Sequence, residues 1–544
     1  MRTSLTKMKA EIEIKNLDHL GLVAGLIDEL EIESIVNEAV GIDSREKVTA
    51  GQIVKGIIIN GLDFVSKPLY LFSQFFADKP GEELLGEGVK AEEINEHKIG
   101  RVMDDIWRYS LEKLWINISL KVVEKYQIST KYSHLDSSSM SVQGEYKVEG
   151  AGVGSIEITH GYSRDHRPDL KQFMIDLMVS SDGDVPLLMR IGSGNESDKT
   201  IFGELINKYQ ANLNWSTIYV ADSALYTAKN LHKLGKTKWL TRVPLISKKA
   251  QEISKNIPES EFPLSQDSRY KYKEQEVNHH GIKQRWLIVL SEMRQKSDQE
   301  KLDKKVKKER EKIEKQLDKW QRKVENMAEL KAEVKQFIKK INYYEIAEIE
   351  YKKQLNKQQK EVYNCQGILR EKSEVIAQEM AQAGKFILAT NVLNPEELSS
   401  EEMLREYKAQ QSCVRVRPWR AARQACRRQR GFRFLKDPLF LADSVFLKTP
   451  QRIETMGMLM GLCLLVYSIG QRKLRNELQS RGEMIKNQLG KLINRPTMRW
   501  IFQELQGIHV VLINGEKMVS NLTDKIINIL QYFSINCQKY YLIN

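Results

Sequence analysis

Ser133-His-Leu-Asp136-Ser-Ser-Ser-Met-Ser-Val142 and, further on, Thr217-Ile-Tyr-Val-Ala-Asp222 decide the fold class of this 544-residue chain. The first stretch breaks the helical spacing before it and alternates as a half-buried strand does. The second is a short apolar run that ends in an aspartate and leads into a helix from about Thr227. Lys171 to Ser180 and Val185 to Ile191 read as two further strands, joined through Asp182-Gly183 in hairpin fashion, and Lys238 to Val243 as another. Strands that meet a β-α-β alternation predict a mixed sheet with helices on its faces.

Outward from that core the sequence reads as helical. Residues 10 to about 128 carry helix-period apolar residues throughout, as in the run from Leu20 to Leu30. Thr49 is placed to cap a helix from Ala50 to Asp63, and another is expected from His97 to Tyr126. Core packing alone accounts for these patterns, and a helix-turn-helix is the functional alternative. Residues 246 to about 384 are expected to interrupt the sheet. There Ile313, Leu317, Trp320, Val324, Met327, Leu330 and Val334 step by threes and fours in a Lys/Glu-rich background, the seam of a coiled coil or helical hairpin. The helix over 296 to 345 is expected to project, with a return helix at 346 to 383 or another protomer as its partner. The sheet resumes at Lys385-Phe-Ile-Leu-Ala-Thr-Asn391, and helices return from Ser400. The expected divisions are thus 1–128, 129–245, 246–384, 385–475 (with an atypical arginine-rich stretch at 413–429) and 476–544.

Charge is unevenly spread. Residues 1–100 hold 11 Lys/Arg against 18 Asp/Glu, a net of −7, whereas residues 413–544 hold 22 against 8, a net of +14; the total of +13 leaves the middle at +6. A basic C-terminal third fits a polyanionic partner, because Lys and Arg contacts to phosphates release counterions; a merely soluble basic surface is the plain alternative. The longest apolar run, Met456 to Ile469, spans 14 residues between Arg452 and Arg472 and predicts a buried helix, not a membrane span. The N-terminus has no apolar signal region, so a cytosolic chain is expected. Five scattered cysteines without C-x-x-C spacing speak against structural zinc and a disulfide framework.

Asp136 lies within the first core strand and Asp222 at the C-terminal end of a later one. Ligands and metals gather at the carboxyl ends of strands in such sheets. Two carboxylates there suit hard divalent cations, which prefer oxygen ligands and clamp the attacking and leaving oxygens of a phosphoryl displacement. Taken singly, an aspartate in such a place is more often a turn or cap residue.

Five stretches occur in order: His134-Leu-Asp136-Ser-Ser-Ser, Gly161-Tyr-Ser-Arg-Asp-His-Arg-Pro-Asp-Leu-Lys-Gln172, Gly194-Asn-Glu-Ser-Asp198, Val220-Ala-Asp222-Ser-Ala-Leu-Tyr226 and Arg430-Gly-Phe-Arg-Phe-Leu-Lys-Asp-Pro-Leu-Phe440. Together they resemble the DDE transposases of bacterial insertion sequences that carry a Y-R-E-K signature, and the resemblance covers nearly the whole chain. It implies an α/β fold with an RNase H-like mixed-sheet core, a helical N-terminal domain, a helical, coiled-coil-like insertion and a helical C-terminal tail. It implies Asp136 and Asp222 as the first two catalytic carboxylates and as ligands of two Mg²⁺ or Mn²⁺ ions. The implied partner is double-stranded DNA, both element terminal repeats and target, bound by a homodimer on the bacterial nucleoid, with no membrane involved. The reaction implied is DNA cleavage followed by strand transfer. By analogy with the signature, Tyr407, Gln410, Arg433 and Lys436 are the expected DNA contacts.

The third carboxylate departs from the pattern. The signature reads Y-x2-R-x3-E-x6-K, yet Gln410 stands where arginine is wanted. Counting forward from Tyr407 puts the glutamate slot at Val414; counting back from Lys436 puts it at Gln429. Between them the chain holds seven arginines and no lysine over residues 413–430. About 15 residues thus look inserted and the glutamate lost, and Pro418 would break the helix that should present it. Glu402, Glu406, Asp437 and Asp443 are the nearby acids, with Glu406 the first candidate for a substitute. Two other functions compete with an active enzyme: a non-catalytic DNA-binding remnant, and a coiled-coil structural protein in which the aspartates are incidental.

Charge reversal of Arg433 and Lys436 is expected to weaken DNA binding to many sequences alike and to flatten its salt dependence, by about one unit of slope for each phosphate no longer neutralised. Titrations of labelled duplexes at several salt concentrations check this, and affinity and slope left unchanged by truncation after residue 412 would remove the basic C-terminal third as the DNA surface.

Overall fold

A computed structural model describes residues 12–144, 146, 155–213, 215–321, 324–355, 361–414, 435, 447 and 449–542. Gln429, Arg433, Lys436, Asp437, Asp443 and the arginine-rich stretch from 415 on lie outside the described residues. The chain forms two compact units, residues 1–239 with 406–544, and residues 240–405.

In the first unit, β1 (Ile12–Asn16) pairs antiparallel with His509–Ile513, which pairs in turn with Glu516–Ser520. The reading of residues from 10 as helical, and of the tail as helices alone, missed this small sheet. Its first strand is largely exposed and its partner lies almost the whole chain away, so local period carried little signal. The helix Ala50–Leu62 starts as expected at Thr49, whose hydroxyl accepts from Gln52 N while the Gln52 side chain accepts from Thr49 N. Glu96–Tyr109 and Leu111–Tyr126 are two helices where one was expected. They divide at Ser110, whose φ of 103° leaves helical space and whose hydroxyl caps the second helix through Lys113 N.

The helix Pro450–Arg481 is long and apolar enough to cross a membrane by composition, yet 89% of its apolar window is buried inside the protein. Helix Leu20–Glu29 packs so closely on Ile535–Gln538 that a Cβ at Gly25 would stand 2.4 Å from the Cys537 Cα. These helices share one apolar core with Phe173, Ile175, Leu177 and Met189 of the strands that follow in the chain.

Those strands are β2 (Tyr132–Val142), β3 (Lys171–Ser180), β4 (Pro186–Gly192) and β5 (Ile218–Ala221). They lie in the order β4-β3-β2-β5, antiparallel except for the parallel pair β2 and β5. The β3–β4 hairpin turns at Gly183 and Asp184, both with positive φ. The helix Asp198–Leu213 carries the chain from β4 across to β5. A meander of three strands with a parallel fourth beside the first is the RNase H-like arrangement, so the α/β class is as expected.

β6 (Lys238–Val243) leads into the second unit, which adds β7 (Tyr270–His279), β8 (Ile282–Ser291), β9 (Tyr344–Leu355), β10 (Glu361–Glu371) and β11 (Lys385–Thr390). Its sheet runs β6-β11-β8-β7, so the segment expected only to interrupt the sheet contributes two strands to it. The long helix is present as Glu292–Trp320, but a second helix, Met327–Ile338, begins afresh where Asn326 caps it through Ala328 N and Glu329 N. The expected return helix is instead the antiparallel hairpin β9–β10. Tyr344 and Ile346 alternate as strand residues, but an irregular register and the positive φ of Glu348 shift Ile349 and Tyr351 out of phase. The resulting step of three imitates a helix. Ile313 and Trp320 pack against Leu330 and Val334 and against Tyr344, Ile346 and Cys365 of the hairpin, so the apolar stripe is covered within its own unit.

Trp320 is 1% exposed at the centre of that cluster. Replacing it by alanine is expected to cost about 3–5 kcal/mol of second-unit stability, read by chemical denaturation; a loss below about 1 kcal/mol would show that the hairpin does not depend on this packing.

Candidate active site

Parallel pairing sets the geometry. Tyr132 lies opposite Ile218 and Leu135 opposite Ala221, so the next residues, Asp136 and Asp222, leave neighbouring strands side by side. Adjacent strands are about 4.8 Å apart, which brings together two carboxylates 86 positions apart in sequence (222 − 136). Asp222 Oδ1 accepts from Ala224 N at 2.8 Å, and Asp136 Oδ1 accepts from Ser137 N at 2.8 Å. Arg164 joins Asp136 to Asp198, with Nη1 3.5 Å from Asp136 Oδ1 and Nη2 in an ion pair with Asp198. Its backbone N–H donates to Ser139 Oγ at 3.0 Å, tying its loop to the strand that bears Asp136.

These charges strain one another. Burial, with the charges of Asp222 and Asp198, pushes the Asp136 carboxyl up to about 8, against the pull of Arg164 and the Ser137 N–H. Burial likewise raises Asp198, assisted by Asp222 and Asp176 and opposed by Arg164. A desolvated carboxylate beside a second one favours a cation between them. The donor chemistry, hard carboxylate oxygens with a fifth of Asp136 still exposed, fits a divalent ion such as Mg²⁺ or Mn²⁺. Among the described residues no group of three or more His, Cys, Asp or Glu is placed to hold a metal, so Asp136 and Asp222 account for two protein ligands at most.

The motif residues around the aspartates build the frame. Gly161 and Gly194 allow two backbones to touch: a Cβ on Gly161 would lie 2.0 Å from Gly194 O, and one on Gly194 2.0 Å from Gln172 O. Gln172 bridges the same crossing, donating from Nε2 to Gly194 O at 2.7 Å and exchanging backbone hydrogen bonds with Thr159. On the opposite face of β2, Ser137 Oγ donates to Asp176, which Arg190 Nη1 meets at 2.6 Å. Arg190 also grips Glu196 at 2.8 and 2.9 Å, fixing the turn that delivers Asp198. Arg164 and Asp198 were missed as site residues. Both stand inside motifs visible in the sequence, but only the fold sets them against Asp136.

The helix Ser400–Val414 bears on the third carboxylate; from Glu406 onward it belongs to the first unit. Gln410 Nε2 donates to Leu135 O at 3.2 Å, and Glu406 Oε2 lies 3.4 Å from Nε2 of the buried His134. His134 and Asp136 share a strand face, so Glu406 sits one pleat away from the aspartates, paired to histidine. Glu406, Tyr407 and Gln410 are 5%, 6% and 5% exposed, so these side chains are held against the protein interior. Positions 406, 410 and 414 recur every fourth residue and share a helix face. The forward-counted slot, 414, is the last residue of this helix.

Residues 133–403 match the family described as Transposase DDE domain, and residues 12–120 match Domain of unknown function (DUF4277). The transposase match contains Asp136 and Asp222 and ends before the slot at 414. Among solved structures, a piggyBac transposase synaptic complex with hairpin DNA aligns over 91% of this chain and 82% of its own, at 11% identity and a TM-score of 0.34. No curated protein matches the chain.

Gly194→Ala is expected to destabilise the first unit by about 1–3 kcal/mol, because the obstructing atoms are backbone and cannot turn aside. A thermal melt reads this, and a melting point equal to that of the unchanged protein would refute the crossing as described.

Proposed function

Because this chain carries a transposase DDE domain and belongs to the DDE transposases, we propose that it binds the ends of an insertion sequence and descends from an enzyme that cleaves and joins DNA there. The reading is supported by the register that sets Asp136, within β2, beside Asp222, just past the end of the parallel strand β5. Those two carboxylates would hold Mg²⁺ or Mn²⁺, which when bound supplies Lewis-acid stabilisation of the phosphoryl oxygens. The protein's own part is to keep both carboxylates rigid, through the β2–β5 ladder and the N–H groups of Ser137 and Ala224. In the first displacement a water oxygen attacks phosphorus and the 3′-oxygen leaves, taking up a proton. In the second, that 3′-hydroxyl attacks a target phosphodiester, so one P–O bond forms for each one broken.

Duplex DNA, both element ends and target, is the proposed partner. The net charge of +14 over residues 413–544 supports this, with Arg433 and Lys436 as phosphate contacts. Tyr407 and Gln410 would serve by holding the helix against β2. Synapsis of two ends calls for a homodimer, acting on the nucleoid in the cytosol. One observation favours a second reading, a DNA-binding remnant without catalysis: valine occupies the slot at 414 and Gln429 the alternative, and a neutral side chain leaves the metals under-neutralised. We therefore propose that the chain as it stands is catalytically poor.

Joining Ser412 through Val-Glu directly to Arg430 restores the full signature spacing and is expected to raise Mg²⁺-dependent cleavage of labelled element ends by roughly a hundredfold or more. The gain should vanish again with Asp136→Asn or Asp222→Asn. If the unaltered chain already cleaves as fast as the repaired one, another acid fills the role, and Glu406→Gln identifies or dismisses the nearest.

A further inference from the structure

Arg164 lies where a cation is needed. Its Nη1 is 3.5 Å from the Asp136 carboxylate, while Nη2 is ion-paired with Asp198. The two carboxylates differ in what anchors them. Asp136 belongs to a strand paired on both sides. Asp198 opens the helix Asp198–Leu213, where the helix N-terminus favours a negative charge, and the preceding turn is gripped by Arg190 through Glu196. The arginine comes from an irregular loop fastened by the Ser139 contact and by the Gly161–Gly194 crossing. It keeps 30% of its side-chain surface exposed, against 20% for Asp136 and 15% for Asp198. A long flexible cation thus bridges two firmly anchored carboxyl groups, and its contact with Asp198 is the closer one.

We propose that Arg164 is a built-in counter-ion of Asp136, displaced when a divalent cation binds and retained at the site by Asp198. This rests on the metal-binding reading given above and extends it to two residues outside the Asp136–Asp222 pair. The physical reason is competition: a guanidinium and a divalent ion cannot both lie against the same carboxylate oxygens without repelling each other. In the metal-free protein Arg164 relieves the mutual repulsion of the aspartates. When the ion arrives, the guanidinium gives up its longer contact and keeps its shorter one. Arg164 and Asp198 are then positioning residues, setting the affinity of the site without ligating the ion.

Mn²⁺ titration of the full chain, followed by electron paramagnetic resonance and calorimetry without DNA, tests this independently of catalysis. Arg164→Ala is expected to bind Mn²⁺ about tenfold tighter, the scale of removing one neighbouring charge, and Arg164→Lys to stay within about threefold of the unaltered protein. Asp198→Asn should weaken binding in the unaltered background, where it frees the guanidinium for Asp136, and have little effect beside Arg164→Ala. Circular dichroism melts keep misfolded variants from being scored. Equal Mn²⁺ affinity with and without Arg164, or an Asp198→Asn effect of the same size in both backgrounds, overturns the proposal. Mn²⁺ binding that ignores Asp136→Asn and Asp222→Asn would instead overturn the metal-binding reading itself, and this proposal with it.

Discussion

The parallel pairing of Tyr132–Leu135 with Ile218–Ala221 sets two carboxyl groups side by side, one within β2 and one just past the end of β5, and much of the first unit serves to make that placement tolerable. Two carboxylates partly withdrawn from water repel each other and lose hydration together, which is why Asp136 holds its proton far above the usual carboxylate range. The surroundings answer with donors and a cation: the Ser137 N–H, the Ala224 N–H and Arg164.

Much of the motif sequence around these aspartates is scaffold. Gly161 and Gly194 are small so that two backbones can cross, and Gln172 fastens the crossing. The buried Ser137 and Asp176 and the half-buried Arg190 and Glu196 form a network on the opposite face of β2, in which the raised carboxyl of Asp176 is met by both a hydroxyl and a guanidinium. The network orders the turn before Asp198, and Asp198 in turn engages Arg164. Architecture and electrostatics are therefore one system, in which the loops are held by contacts whose far ends reach the charged site.

The helix Ser400–Val414 is joined to this system at two points, the buried His134–Glu406 pair and the Gln410 bond to the Leu135 carbonyl. Both contacts fall on the strand that carries Asp136, so the helix is registered against the aspartates to within a turn. That registration also sets Glu406, the nearest acid on this helix, 3.4 Å from Nε2 of the buried His134.

Local chemistry alone settled several features. The alternation at Ser133–Val142, the Gly183-centred hairpin, the Thr49 cap and the aspartate ending Ile218–Ala221 are short-range patterns, and each appears in the structure where the residues predict it. Other features were hidden because their cause lies far along the chain or breaks a period. β1 pairs with a strand almost 500 residues away, and an irregular register in β9–β10 makes a hairpin imitate a helical step. Ser110 splits one apolar helical pattern into two. Sequence order could point to Asp136 and Asp222 as candidates, because residue type and strand ends are local properties. That Arg164 and Asp198 share their field, and that Gln410 and Glu406 face the same strand, only the tertiary structure decided: Coulomb and hydrogen-bond energies depend on separation in space, to which chain separation is no guide.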